Sequence, residues 1–247
     1  MKVFIKIKYW IIDRWFDMVN KYLVWTYYNR NASFVSYNDC QPLKDELRPI
    51  YWNRYWAEKE RQLYVSEQIT KMNNGKSFLV EAEPKVTRVD KDYVSGCLSS
   101  QMLKSFCGKR GEVSLSVQMS RNKGDFPAAW LLAEHGTEEV AEIDIFEWIS
   151  QKPYHLFFTN HWGEDYAEGH EMSGSKLYFE PLKFDVSLQW DARIICWYLN
   201  GVLIRKIRNY YQHIDFYLLL NLAVGGWSEQ PDPEYKSNVI FSNLKGV

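Results

Sequence analysis

Apolar and polar positions follow two different rhythms along this chain. Near the start, Phe4, Ile7, Ile11, Trp15, Met18 and Tyr22 recur at helical spacing, while Lys6, Asp13, Asp17 and Lys21 fall on another face. The spacing predicts an amphipathic helical extension over residues 1–31, its apolar stripe packed on the rest of the protein or on a partner. Weak contact with a membrane surface is the alternative. From about residue 32 the period shortens. Runs rich in β-branched and aromatic residues, such as "KSFLVEAEPKVTRV", "GEVSLSVQMS", "FPAAWLLAEH", "AEIDIFEWI", "HLFFTNHW", "FYLLLNLAVGG" and "NVIFSNLKGV", are separated by turn clusters such as "NNGK", "RNKGD" and "QPDP". In "WYLNGVLI" the Asn200-Gly201 pair between apolar runs predicts a two-residue hairpin. Some ten strands at this spacing predict an all-β domain over residues 32–247, a sandwich or barrel.

One strand breaks its own rule. In "VAEIDIFEWIS", residues 140–150, Glu142 and Asp144 share a face and Ile143 and Ile145 share the other. Regular continuation would put Glu147 inside with the isoleucines, and an unpaired buried carboxylate is very costly. A β-bulge around Ile145-Phe146 would return Glu147 to the first face. Three carboxylates would then stand in a row, with titrations that couple and separate. That arrangement suits glycoside hydrolysis with retention, where one carboxylate attacks the sugar carbon and a protonated second one, ~5–5.5 Å away, donates to the leaving oxygen. Charged residues on an exposed strand face are also ordinary, so the neighbouring sequence has to decide.

Composition narrows the partners. A formal net charge of −1 gives no electrostatic ground for nucleic-acid binding. With 11 Trp and 17 Tyr the chain is rich in rings; core packing accounts for most of them, and the alternative for some is a flat platform for a sugar face. Cys40, Cys97, Cys107 and Cys196 lack zinc-ligand spacing and read as free thiols. No apolar run is long enough for a transmembrane segment, and the charged N-terminal stretch lacks the pattern of a signal peptide.

The ordered segments around the acids resemble glycoside hydrolase family 16. Glu142-Ile-Asp144-Ile-Phe-Glu147 matches the bulged form of the family's signature. "GDFPAAWLLAEH" with Pro127 and Trp130, "FFTNHWG" with His161, "LQWDARIICWYLNGVLI" with Trp190 and Gly201, and "LLLNLAVGGW" with Asn221, Gly225, Gly226 and Trp227 match further pieces in order. The likeness spans residues 32–247 and implies a β-jelly-roll sandwich of two antiparallel sheets. It implies Glu142 as nucleophile, Asp144 as the residue that holds and separates the charges, and Glu147 as acid then base. Trp130, Trp148, His161, Asn221 and Trp227 would bind a polysaccharide substrate. No cofactor is required; a structural calcium on the outer sheet is familiar in the family, and a monomer is expected. The "GGW" segment looks laminarinase-like, which favours a β-1,3- or mixed β-1,3/1,4-glucan lying outside the cell. Galactan hydrolysis, transglycosylation and a non-catalytic carbohydrate-binding sandwich are the alternatives.

Overall fold

The computed structural model describes residues 14–23, 36–51, 60–85, 91–134, 140–163, 170–178 and 182–247, with only the backbone for 170–175 and 178. Short strands come first: β1 (Gln41–Pro42), β2 (Arg48–Pro49), β3 (Gln62–Tyr64), β4 (Ile69–Met72), β5 (Ser77–Pro84), β6 (Tyr93–Ser95), β7 (Cys97–Ser99) and β8 (Phe106–Cys107). Longer ones follow: β9 (Gly111–Met119), β10 (Asp125–Ala133), β11 (Val140–Trp148), β12 (His155–Gly163) and β13 (His170–Tyr178). The last are β14 (Lys183–Trp190), β15 (Ile194–Leu199), β16 (Val202–Arg208), β17 (Asp215–Val224) and β18 (Ser237–Gly246).

They form two stacked sheets. One runs β16-β15-β14-β9-β18-β5-β6-β3, with β1 on β18 and β4 on β5; the other runs β13-β12-β11-β10-β17-β7-β2, with β8 on β17. Among the described residues only the β3–β6 pair is parallel. This is the β-jelly-roll sandwich that the resemblance implied, where the strand rhythm alone had allowed a sandwich or a barrel. Alternate residues explain the core: Val80, Val117, Ile143, Leu188, Leu218 and Phe241 are all buried between the sheets. The β15–β16 hairpin turns at Asn200 and Gly201, whose φ values of 49° and 77° are those a two-residue primed turn requires. All four cysteines are free.

A helix does form over residues 14–23, but it buries a different face from the one its spacing predicts. Phe16, Asn20 and Leu23 turn inward; Trp15, Met18 and Tyr22 point outward. The reason is a polar contact that hydrophobicity cannot register. Asn20 Oδ1 accepts the main-chain N–H of Lys206 at 2.7 Å, capping an otherwise open N–H on the edge strand β16. Phe4, Ile7 and Ile11 lie outside the described residues. No described helix is long and apolar enough to cross a membrane.

Candidate active site

Strand β11 carries the predicted bulge. Against β10, Phe146 pairs with Ala129 and Asp144 with Trp130, so Ile145 has no partner. Against β12 the ladder breaks between Ile143 and Glu147. The extra residue restores the parity that the acids need. Ile143, Ile145 and Phe146 are buried in the core, while Glu142, Asp144 and Glu147 all line one cleft of about 280 Å³.

The neighbouring strands complete that cleft. On β10, alternation presents Phe126, Ala128 and Trp130; on β17 it presents Asn221 and Ala223. Register sets them in rows, with Glu147, Ala128 and Asn221 in one and Asp144, Trp130 and Leu219 in the next. The small side chains of Ala128 and Ala223 leave room above the sheet. Trp130 Nε1 donates to Asn221 Oδ1 at 2.8 Å, and Asn221 Nδ2 donates to Tyr64 Oη at 3.0 Å. Those bonds fix the indole and the amide orientation together.

Polar partners tune the acids. His161 Nε2 lies 3.7 Å from Glu142 Oε1 and 3.4 Å from Asp144 Oδ2. Thr159 Oγ1 donates to Glu147 Oε2 at 3.3 Å. Burial raises the Glu147 carboxyl well above the ordinary range, and the charges of Asp144 and Glu142 push the same way. Burial likewise raises Asp144 well above its usual value; Glu142 adds to this, and the Arg205 cation opposes it. Burial and mutual repulsion thus oppose ionisation of Asp144 and Glu147 beside Glu142, a setting in which one carboxyl can keep a proton for acid-assisted displacement.

The remaining predicted residues separate. Trp227 follows Gly225 and Gly226, both at positive φ, and stays 44% exposed with its ring 5.1 Å from Phe157 and 6.1 Å from Phe126. It stands beside the cleft, touching one of its lining residues. A side chain at Gly226 would strike Glu60, since an added Cβ would lie 2.8 Å from Glu60 Cγ. Trp148 does not reach the cleft. It is buried in the core, its Nε1 bonded to the Pro153 carbonyl at 3.2 Å. The same bulge that turns Glu147 outward turns the next residue inward, so Trp148 is not among the residues that line this cleft.

Glu60 and Tyr64 also line the cleft and were not foreseen. Glu60 accepts from Gln62 Nε2 at 2.9 Å, and burial raises its carboxyl. The alternation of Gln62 and Tyr64 in "ERQLY" was the available signal, but so short a run carries little weight. Glu142, Asp144 and His161 offer ligand atoms within 4.8 Å of one another, the one such group among the described residues. Calcium takes six to eight oxygen ligands, so two carboxylates with an imidazole at the cleft do not make a calcium site.

Comparison with known proteins points the same way as the geometry. Residues 57–237 match the sequence profile of Glycosyl hydrolases family 16. The chain is 28% identical over 141 residues to an endo-1,3-1,4-beta-glycanase, EglC, of Rhizobium meliloti (strain 1021), covering 57% of this chain and 30% of that protein. It is 26% identical over 198 residues to a glucan endo-1,3-beta-glucosidase of Niallia circulans, covering 70% of this chain and 28% of that protein. The chain thus spans less than a third of the length of these relatives. The crystal structure of the laminarinase catalytic domain from Thermotoga maritima superposes with a TM-score of 0.70 at 20% identity, covering 88% of this chain and 98% of that one. At that identity the likeness speaks for the fold alone.

Proposed function

The chain belongs to glycoside hydrolase family 16, and from that premise we propose that it is a retaining endo-glycosidase acting on a β-1,3- or mixed β-1,3/1,4-glucan. The observation that carries this reading is the bulge at Ile145, which gathers Glu142, Asp144 and Glu147 on one cleft face. In the first step the Glu142 carboxylate attacks the anomeric carbon while Glu147 gives its proton to the departing glycosidic oxygen. In the second, ionised Glu147 takes a proton from water, which displaces Glu142 and releases the sugar with its original configuration. Asp144 stands between the two and, with His161, holds the nucleophile.

The glucan preference rests on two supports. One relative is named a glucan endo-1,3-beta-glucosidase and another an endo-1,3-1,4-beta-glycanase. The described lining residues include Glu60 besides the three acids and no Lys or Arg, a field that disfavours sulphated galactans. Trp130, with Tyr64 and Asn221 behind it, would offer a fixed aromatic face to a sugar ring.

The test is release of reducing ends from laminarin, mixed-linkage glucan, agarose and carrageenan by the wild type, Glu142→Gln and Glu147→Gln. Cleavage of the first two substrates, lost in both variants, is expected. Full activity in either variant would reject the assignment of the acids, and binding without turnover would favour a non-catalytic sandwich.

A further inference from the structure

Directly behind the acids, in the interior of the sandwich, sits a cation. Arg205 on β16 is 2% exposed, and its Nη2 donates to Asn160 Oδ1 at 2.6 Å. Asn160 is the β12 partner of Ile143, so the guanidinium is anchored at the level of Glu142 and Asp144, on the core side of the sheet. Asn160 Nδ2 in turn donates to Tyr211 Oη at 3.3 Å, and that hydroxyl donates to the His161 carbonyl at 2.8 Å. The guanidinium also lies 5.0 Å from the centre of the Trp197 ring, whose Nε1 donates to the Asp144 carbonyl at 2.8 Å. Two of these contacts end on the main chain of the site, the Trp197 indole at Asp144 and the Tyr211 hydroxyl at His161, whose imidazole faces Glu142 and Asp144.

Burying a guanidinium in a core is costly, and an apolar residue at this edge would stabilise the sandwich at least as well. A cation there needs a task. We propose that Arg205 is a positioning residue for glycoside cleavage, fixing the Glu142–Asp144 stretch from behind and offsetting its negative charge across the strand. This deepens the reading of the acids given above and rests on it.

Among the described residues, the following groups face the pair. Arg205 faces Asp144 on β11, Asp17 on the N-terminal helix and the hydroxyls of Tyr210 and Tyr211; Asn160 and Trp197 are neutral. Asp144 faces Glu142, Glu147, His161 and Arg205. Burial draws the guanidinium down to about 10, still charged at neutral pH. Removing it leaves Asp144 with carboxylates and His161, so the Glu142–Asp144 pair should then release its proton at higher pH.

The experiment is the pH profile of kcat/KM for the wild type, Arg205→Gln and Arg205→Lys, with folding checked by near-ultraviolet circular dichroism. Arg205→Gln should lower kcat roughly tenfold or more at unchanged KM and move the acid limb up by about one pH unit. Arg205→Lys should keep the acid limb at its wild-type position with an intermediate kcat, because charge is retained while the bond to Asn160 is lost. Superimposable wild-type and Arg205→Gln profiles, or equal displacement in both variants, would overturn the proposal. If Arg205→Gln does not fold, Arg205→Lys decides alone: a wild-type acid limb supports the proposal, while a displaced limb or an unfolded protein defeats it. Glu142→Gln in parallel keeps the two readings apart, since activity surviving there would sink the assignment of the nucleophile whatever Arg205 does.

Discussion

Trp197 reaches from one sheet to the other, its indole N–H bonded at 2.8 Å to the main-chain carbonyl of Asp144 beside the bulge. The broken β11–β12 ladder between Ile143 and Glu147 leaves carbonyls there that need another donor. Trp197→Phe keeps the ring and deletes that donor. A buried carbonyl left unpaired costs about 1–3 kcal/mol, to be read by urea denaturation. The freed bulge should also misplace the acids, lowering kcat about ten- to a hundredfold with little change in KM. An unchanged kcat would show that the bulge holds without the indole.

Glu147 should be a burden on stability at neutral pH. Its carboxyl in the folded protein ionises above the ordinary value of 4.5, chiefly through burial. The native state therefore binds more protons than the unfolded chain between those two values. The stabilisation is complete below the unfolded value and is lost as pH climbs through the folded one. Glu147→Gln removes the ionisation. Every tenfold weakening of the acid by folding corresponds to about 1.4 kcal/mol, so the variant should melt about 3–6 °C higher at pH 7 for each such factor. The gain should vanish below about pH 4, where the wild-type carboxyl is protonated too. Calorimetry at both pH values checks this; a gain that persists in acid would mean that the charge is not the cause.

Trp227 is the exposed ring of the site, resting on Phe126 and Phe157. Because it stands beside the acids and not among them, Trp227→Ala should weaken binding and spare chemistry. An aromatic platform contributes about 1 kcal/mol, so KM should rise about fivefold at constant kcat. A loss confined to kcat would place this ring in the chemistry instead of the binding surface.

Strand content, the Asn200-Gly201 turn and the bulge were legible in the sequence because each has a local cause. Alternation marks the strands, a positive-φ pair marks the turn, and the cost of burying Glu147 marks the bulge. The helix face was not legible, because it is set by Asn20 bonding the edge strand at Lys206, a contact made 186 residues away. Glu60, Tyr64 and Arg205 escaped for the same reason. What they do depends on which strands stack, and short runs such as "ERQLY" carry no signal of that. Trp148 failed differently. The resemblance suggested the cleft, but adjacent residues on a strand face opposite ways.

That last point yields a sharp test. Trp148 and Glu147 are neighbours in the chain, yet only Glu147 meets the cleft. Trp148 is 1% exposed, with its Nε1 on the Pro153 carbonyl and the Arg121 guanidinium 5.6 Å from its ring centre. Trp148→Ala should behave as a core truncation, costing about 3–5 kcal/mol of stability. Trp148→Phe keeps much of the volume and loses the N–H bond, so about 1–2 kcal/mol is expected. Neither should change KM for glucan when assayed well below the melting temperature. Urea denaturation and initial rates on the same samples separate the outcomes. A raised KM in Trp148→Phe with unchanged stability would return this ring to the substrate and contradict the register of β11.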